Sequence, residues 1–379
     1  MRCSLHRHLL AAFASLGLAS CSGDGEPAVQ QSSHSGDGEL AVFYNPYSEV
    51  EFASSPRLLA QHHDHAGVTE FNLRAYDKAG YNVVGLQDYS GNRRLPYTWT
   101  ERRWPPERWL PKDFLASLKN LEMFLPNAEE VGVPELHVTS AFLRTYIEVD
   151  SDPPSLPQSR QYKTGTQLID VVRQNGGVPC VAHQFEALTD LDYWSKVPCT
   201  EIYTAFAAAL REQGSPYFTA VDRNQTMVSN WDLMLRQNPR VLGIAVNDHF
   251  GPDTPPFVKV SPQSRDSGKI LVFAPQVTLE AYENAFRHGA FFAVIDRGAT
   301  KGNFPYIENV MAFDDSIYIE TTDPVTWITN FGVVASGKAL FLNDLRKHTT
   351  YARAEITNAE GSIVYTQAFA IRRRDNQFN

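Results

Sequence analysis

The chain of 379 residues is short of what a nucleic-acid binder or a disulfide-built scaffold needs. Lys and Arg number 34 against 43 Asp and Glu, giving a net charge of -9 and a pI near 5.7. That acidic balance excludes a general polyanion binder, which requires a basic face. Cysteine is scarce, four in all, and only Cys180 and Cys199 fall in the part that reads as folded, so disulfides do not dominate the architecture. The apolar run Leu9–Leu18 is far shorter than the roughly 20 residues of a spanning helix. What remains is ordinary globular composition, 43% hydrophobic and 20% charged, enough for one sizeable domain and a small one.

The N-terminus reads as processing rather than fold. Met1 to His8 carries Arg2 and Arg7, the apolar run follows, and it ends in Leu18-Ala19-Ser20-Cys21. That ending looks like the lipobox of bacterial lipoproteins, in which cleavage precedes the cysteine and its thiol takes diacylglycerol. Residues 1–20 are therefore expected to be a signal peptide and Cys21 the lipidated first residue. Ser22-Gly23-Asp24-Gly25-Glu26 recurs as Ser35-Gly36-Asp37-Gly38-Glu39, so residues 21–40 read as a flexible tether. With Ser22 rather than Asp after the anchor, the resemblance points to the outer membrane, facing the periplasm, with the lipid as the one membrane contact. An oxidising envelope permits Cys180 and Cys199 to pair. Side-by-side strands rarely suit a disulfide, however, and buried thiols are the simpler expectation.

The chemistry concentrates first in Gln61-His62-His63-Asp64-His65. Side chains two apart on a strand share a face, so His63 and His65 can reach one metal ion. Leu58-Leu59-Ala60 before them is apolar enough for a buried strand, Val68–Gly80 has helix character, and Tyr81–Asp88 reads as a second buried strand ending on a carboxylate. Alone, the histidine run also fits a surface turn. Later strand ends argue for a site. Val178–His183 is an apolar strand closing on a histidine, Thr200–Tyr203 is a short strand, and Val241–Val246 runs into Asn247-Asp248-His249. Helices are predicted over Gln167–Asn175 and Asn230–Gln237. This rhythm from about 41 to 302 indicates a mostly parallel α/β architecture with chemistry at the C-terminal strand ends. Asn92–Pro111, rich in Arg, Trp and Pro, reads as a long loop over the site.

From about residue 303 the texture changes to period-two alternation, in Ser316–Glu320 and Tyr351–Ile356. Asn358-Ala359-Glu360-Gly361 then reads as a turn into Ile363–Thr366. Residues 303–379 are predicted to form a small antiparallel β domain without ligating residues.

The ordered set His63, His65, Asp88, Glu130, His137, His183 and His249 resembles the PHP (polymerase and histidinol phosphatase) family over about residues 55–295. The first histidine motif falls on His62-His63-Asp64-His65. The following strand matches Gly80-Tyr81-Asn82 through Gln87-Asp88-Tyr89, and the Pro-Gly-x-Glu motif matches Pro126–Glu130 with His137 after it. The remaining motifs fall on Ala182-His183, Glu201-Ile202-Tyr203 and Asn247-Asp248-His249. The resemblance implies a distorted (β/α)7 TIM-like barrel, the seven residues above as metal ligands, and a metal-dependent phosphoesterase.

Three departures stand out. Tyr89 replaces a histidine, the Ser-Asp-Gly after the first motif is missing, and Asn247 takes the place of the closing Asp in the simplest alignment. Asp64 and Asp248 lie one residue from ligand positions and can substitute only if the backbone shifts; strand alternation turns Asp248 away. One or two ions of Zn, Mn or Fe are therefore expected rather than three. The expected reaction is hydrolysis of a small phosphate ester by a metal-activated hydroxide. Arg93 and Arg94 are candidates to clamp its phosphate, though solvated charge is the simpler reading of two loop arginines. The rival reading, favoured by Tyr89 and Asn247, is a degenerate, non-catalytic barrel serving as a surface ligand-binding or interaction module.

Overall fold

Two histidines two residues apart share a face only on an extended backbone, and Arg57–Asp64 is a strand. The computed structural model describes residues 39–374 apart from 66–67, 90–109, 134–135, 146, 148–163, 189–193, 195, 249–250, 253–260, 262 and 299–300. At Asp88 and Tyr89 only the backbone is described. In chain order the strands begin β1 (Leu40–Tyr44), β2 (Arg57–Asp64), β3 (Val83–Leu86), β4 (Asp88–Tyr89), β5 (Met123–Phe124), β6 (Glu129–Val133) and β7 (Leu136–Ala141). They continue with β8 (Val178–Ala182), β9 (Cys199–Thr204), β10 (Leu242–Val246), β11 (Gly268–Phe273) and β12 (Phe291–Ile295). After these come β13 (Ile307–Ala312), β14 (Ser316–Thr321), β15 (Val325–Thr329), β16 (Gly332–Ser336), β17 (Ala339–Phe341), β18 (Tyr351–Thr357), β19 (Ile363–Thr366) and β20 (Phe369–Arg373).

These strands make an eleven-stranded, a six-stranded and a three-stranded sheet. The main path of the first runs β1-β20-β18-β19-β12-β11-β2-β3-β5, and the second runs β10-β9-β8-β7-β6-β4. Among the described residues no closed barrel forms, which corrects the expected (β/α)7 TIM-like architecture. The reason lies in the connections. Only two residues separate β6 from β7, too few for the crossover that a parallel pair needs, so β6 and β7 pair antiparallel, as do β7 and β8. On the other side β11 lies antiparallel to both β2 and β12, and the outer edge of β12 is taken by β19. Of the C-terminal strands, β15, β16, β18, β19 and β20 extend the eleven-stranded sheet instead of letting it close, while β13, β14 and β17 make the three-stranded sheet. They are antiparallel, as their alternation predicts, and β14, β18 and β19 fall on the segments that carried it.

The helices start where the sequence offers caps. Thr69, Thr164, Thr204, Asp222 and Thr278 each accept a backbone N–H of the first turn, and Thr164 forms a capping box with Gln167. The helix predicted over Asn230–Gln237 is one half of Arg223–Gln237. That helix and Gly165–Gln174 cover one face of the six-stranded sheet, packing Trp231, Met234, Leu168 and Val172 against Val138, Val181 and Ile202. The opposite face meets the eleven-stranded sheet in a core of Leu58, Ala60, Val83, Ile244, Val246, Ile270 and Val272. Strands buried on both faces read as continuous apolar runs, which is why these stood out in sequence. No described helix is long and apolar enough to cross a membrane.

Within that shared core Cys180 and Cys199 form a disulfide, against the expectation of buried thiols. They sit directly opposite on the parallel neighbours β8 and β9. The two sheets also touch through an isolated parallel bridge between Asp64 and Asp248, at the ends of β2 and β10.

Candidate metal centre

At that junction the end of β2 brings its histidines against acids and histidines of the six-stranded sheet. The alternation of β2 decides which imidazole faces where. His63 and His65 share a face, their Nε2 atoms 3.0 Å apart. His62 points to the other side, stacked on Phe286 with Nε2 2.6 Å from the Tyr282 hydroxyl, and burial lowers its pKa to about 3. It is a neutral core histidine.

Glu130, buried on β6, is the hub. Its Oε2 lies 3.0 Å from His65 Nε2 and 3.6 Å from His63 Nε2. Its Oε1 lies 2.7 Å from His137 Nδ1 and 3.1 Å from His183 Nε2. The ligand atoms of His63, His65 and Glu130 all fall within 4.8 Å of one another, as do those of Glu130, His137 and His183. One carboxylate thus faces two groups of imidazoles, an oxygen toward each. The hairpin geometry explains the second group. On the antiparallel β6–β7 pair Glu130 lies diagonal to His137, and β7 sets His137 opposite Ala182, the neighbour of His183. Glu130 stands near the start of its strand, not at the strand end read from the sequence.

Two further acids complete the cluster, and neither was singled out as a ligand. Glu201, fully buried on β9, accepts from His63 Nδ1–H at 2.6 Å and from the His183 backbone N–H at 2.7 Å. With its Nδ1 proton committed to Glu201, a neutral His63 presents a lone pair at Nε2, toward Glu130 and His65. Asp248 Oδ1 lies 3.6 Å from His63 Nε2 and 3.7 Å from His65 Nε2. The alternation rule had turned Asp248 away. It fails here because Asp248 has φ +61°, a left-handed backbone that rotates its side chain onto the site. Asn247, placed at the ligand position by the simplest alignment, is engaged elsewhere and fully buried. A signal for Glu201 was available in the Glu-Ile-Tyr strand, whose first residue is the only charged one in an apolar segment.

Of the seven ligands named from sequence, the structure brings together His63, His65, Glu130, His137 and His183. The backbone of Asp88 pairs with Glu129, beside the Glu130 strand. Its side chain, all of His249, Arg93, Arg94, Cys21 and most of the Asn92–Pro111 loop lie outside the described residues.

The electrostatics suit a cation. Glu130, Glu201 and Asp248 are buried carboxylates at 3% exposure or less, so their charge must be met by positive charge nearby. Burial alone would neutralise His63, but the carboxylates of Glu201 and Asp248 outweigh it and hold its pKa well above the usual value. Burial also opposes the charge on His183, and Glu130 outweighs it, raising that pKa to about 9. Burial pushes Glu130 up, while His137, His183 and His63 overcome this and keep it well below the usual carboxylate range. In the ion-free protein, protons on imidazoles supply the positive charge. Imidazole nitrogens and carboxylate oxygens converging at these distances are the donor set of Zn, Mn or Fe, so the residues fit such ions.

Fold and site together describe a mixed α/β protein with a buried His/Glu cluster able to hold divalent ions. No protein-family model matches the chain, and no curated protein matches it. Among solved structures it is similar to a two-domain protein from Bacteroides vulgatus containing a predicted PHP-like metal-dependent phosphoesterase. Identity is 12%, with 86% of this chain and 98% of that chain covered, and the TM-score is 0.44. At that score the likeness is loose, and the metal-binding reading stands on the side chains themselves.

Proposed function

We propose that the chain is a metal-dependent hydrolase acting on a small phosphate ester. The observation that carries this reading is the Glu130 carboxylate set between His63/His65 and His137/His183, an arrangement suited to two ions sharing one ligand. His63, His65, Glu130 and Asp248 would hold one ion, and Glu130, His137 and His183 the other. Ions so bound supply Lewis acidity and a water nucleophilic at neutral pH. The chain's own part is to fix the donors. Glu201 orients His63 and the turn of His183, and Glu130 ties both groups to one strand. Asp248 supports a catalytic over a degenerate site, since a carboxylate is supplied where Asn247 had suggested a loss.

The test is metal analysis of the purified protein followed by an aryl-phosphate assay with added Mn or Zn. One to two ions per chain and metal-dependent turnover are expected. Glu130→Gln should lose both ions and at least about 100-fold in rate. Turnover that persists undiminished in Glu130→Gln, or activity on aryl carboxylic esters alone, would remove the phosphoesterase reading.

A further inference from the structure

We propose that Asn247 is a positioning residue that sets the backbone turn by which Asp248 reaches the metal centre. The inference rests on the reading of that centre as a divalent-ion site. Asn247 is fully buried, and its amide is used at both ends. Nδ2 donates to Asp266 Oδ1 at 2.8 Å, and Oδ1 accepts from Gly268 N–H at 3.1 Å. Its backbone N–H donates to Gln61 Oε1 at 3.3 Å, the same oxygen that accepts from His63 N–H at 3.1 Å. Gln61 Nε2 in turn donates to Gly268 O at 2.8 Å. The end of β10 is thereby fastened to β2 and to the start of β11.

The next residue is the one that breaks the strand. Asp248 donates its N–H to His63 O at 2.8 Å and accepts from His65 N–H at 3.0 Å, at φ +61°. A non-glycine residue in that region is held there by its surroundings, and the Asn247 amide is the buried anchor one residue before it. Gly268 is part of the same fit, because a Cβ there would sit 2.0 Å from Val246 O. Asp266 is fixed as the acceptor for the Asn247 amide, with Lys269 Nζ 3.2 Å from its Oδ2 and the Tyr81 hydroxyl donating to the same Oδ1 at 2.5 Å.

This reading and the simple alignment predict opposite signs for one substitution. If Asn247 is a lost ligand, Asn247→Asp restores it and tightens metal binding. If Asn247 is a positioning residue, Asn247→Asp sets a buried carboxylate against Asp266, removes the Nδ2 donor and lets Asp248 turn out. Mn(II) and Co(II) binding to the full chain separates them, with the Co(II) absorption spectrum reporting coordination and a thermal melt reporting the fold. Asn247→Asp is expected to weaken binding about 10- to 100-fold, the range for outer partners of metal ligands. The double variant N247D/D266N, which exchanges donor and acceptor, should recover most of that loss and the wild-type Co(II) spectrum. A merely structural role would move the melt without restoring the spectrum. Should Asn247→Asp not fold, Asn247→Ser decides, with a tenfold loss supporting the role and unchanged affinity overturning it. Equal or tighter binding in Asn247→Asp overturns it as well. A wild-type chain that takes up neither ion removes the metal centre itself, a failure distinct from one confined to Asn247.

Discussion

Metal uptake by this cluster should be strongly pH-dependent, and the structure gives both sign and size. In the ion-free protein His183 holds a proton with a pKa of about 9, and His63 is raised in the same direction. An incoming ion must displace those protons. For His183 at pH 7 the difference is about two pK units, ~2.7 kcal/mol or about 100-fold in affinity relative to a pH above 9. Affinity should climb by about one decade per pH unit for each displaced proton, from about pH 6.5 toward 9. Stability of the ion-free protein runs the other way. Because the folded pKa of His183 lies above its usual 6.5, its contribution is complete below about pH 6.5 and fades as pH rises through about 9. Glu130, held below its usual 4.5, contributes above that value and is lost only as pH falls through its folded pKa, outside this window. Titration calorimetry of Mn(II) in buffers of different ionisation enthalpy counts the protons directly. About one to two should be released per chain at pH 7. Binding heats independent of buffer, with affinity flat from pH 6.5 to 8.5, would refute the argument.

Two further outcomes follow from other parts of the chain. The Cys180–Cys199 disulfide closes a sequence separation of 19, so reducing it or replacing both cysteines with alanine should cost about 3 kcal/mol; an unchanged urea midpoint under reductant would sink that account. Cys21→Ala should move the protein from the membrane fraction to the soluble fraction, and unchanged fractionation would end the lipoprotein reading.

The side-chain cluster was more legible in the sequence than the fold around it. His63 and His65 could be paired because strand alternation is a local rule, and the same rule correctly sends His62 to the other face. Asp248 defeats the rule at one residue, with φ +61°, its backbone bonded to His63 and His65 and its neighbour Asn247 fastened to Gln61, Asp266 and Gly268, all partners from other segments. Sheet closure was not legible for a related reason. The apolar runs of β2, β8 and β10 show burial on both faces, but not which edge each will meet. That β19 takes the edge of β12 depends on a pairing between segments far apart in the chain. The disulfide was misjudged on general strand geometry, whereas the register that sets Cys180 opposite Cys199 is particular to β8 and β9.

The junction of the two sheets has a consequence for how the chain folds. The donors belong to segments remote in sequence; His63 and Glu201, in direct contact, are 138 residues apart. Loop closure over such a span brings them together only once both sheets have formed and docked. An unfolded chain therefore carries scattered weak donors and no site, and uptake of an ion reports completed assembly rather than starting it. An ion held by His63, His65, Glu130 and Asp248 would join the end of β2 to β6 and the end of β10, and would stabilise the docked state by mass action. It should slow the separation of the sheets far more than it speeds their meeting.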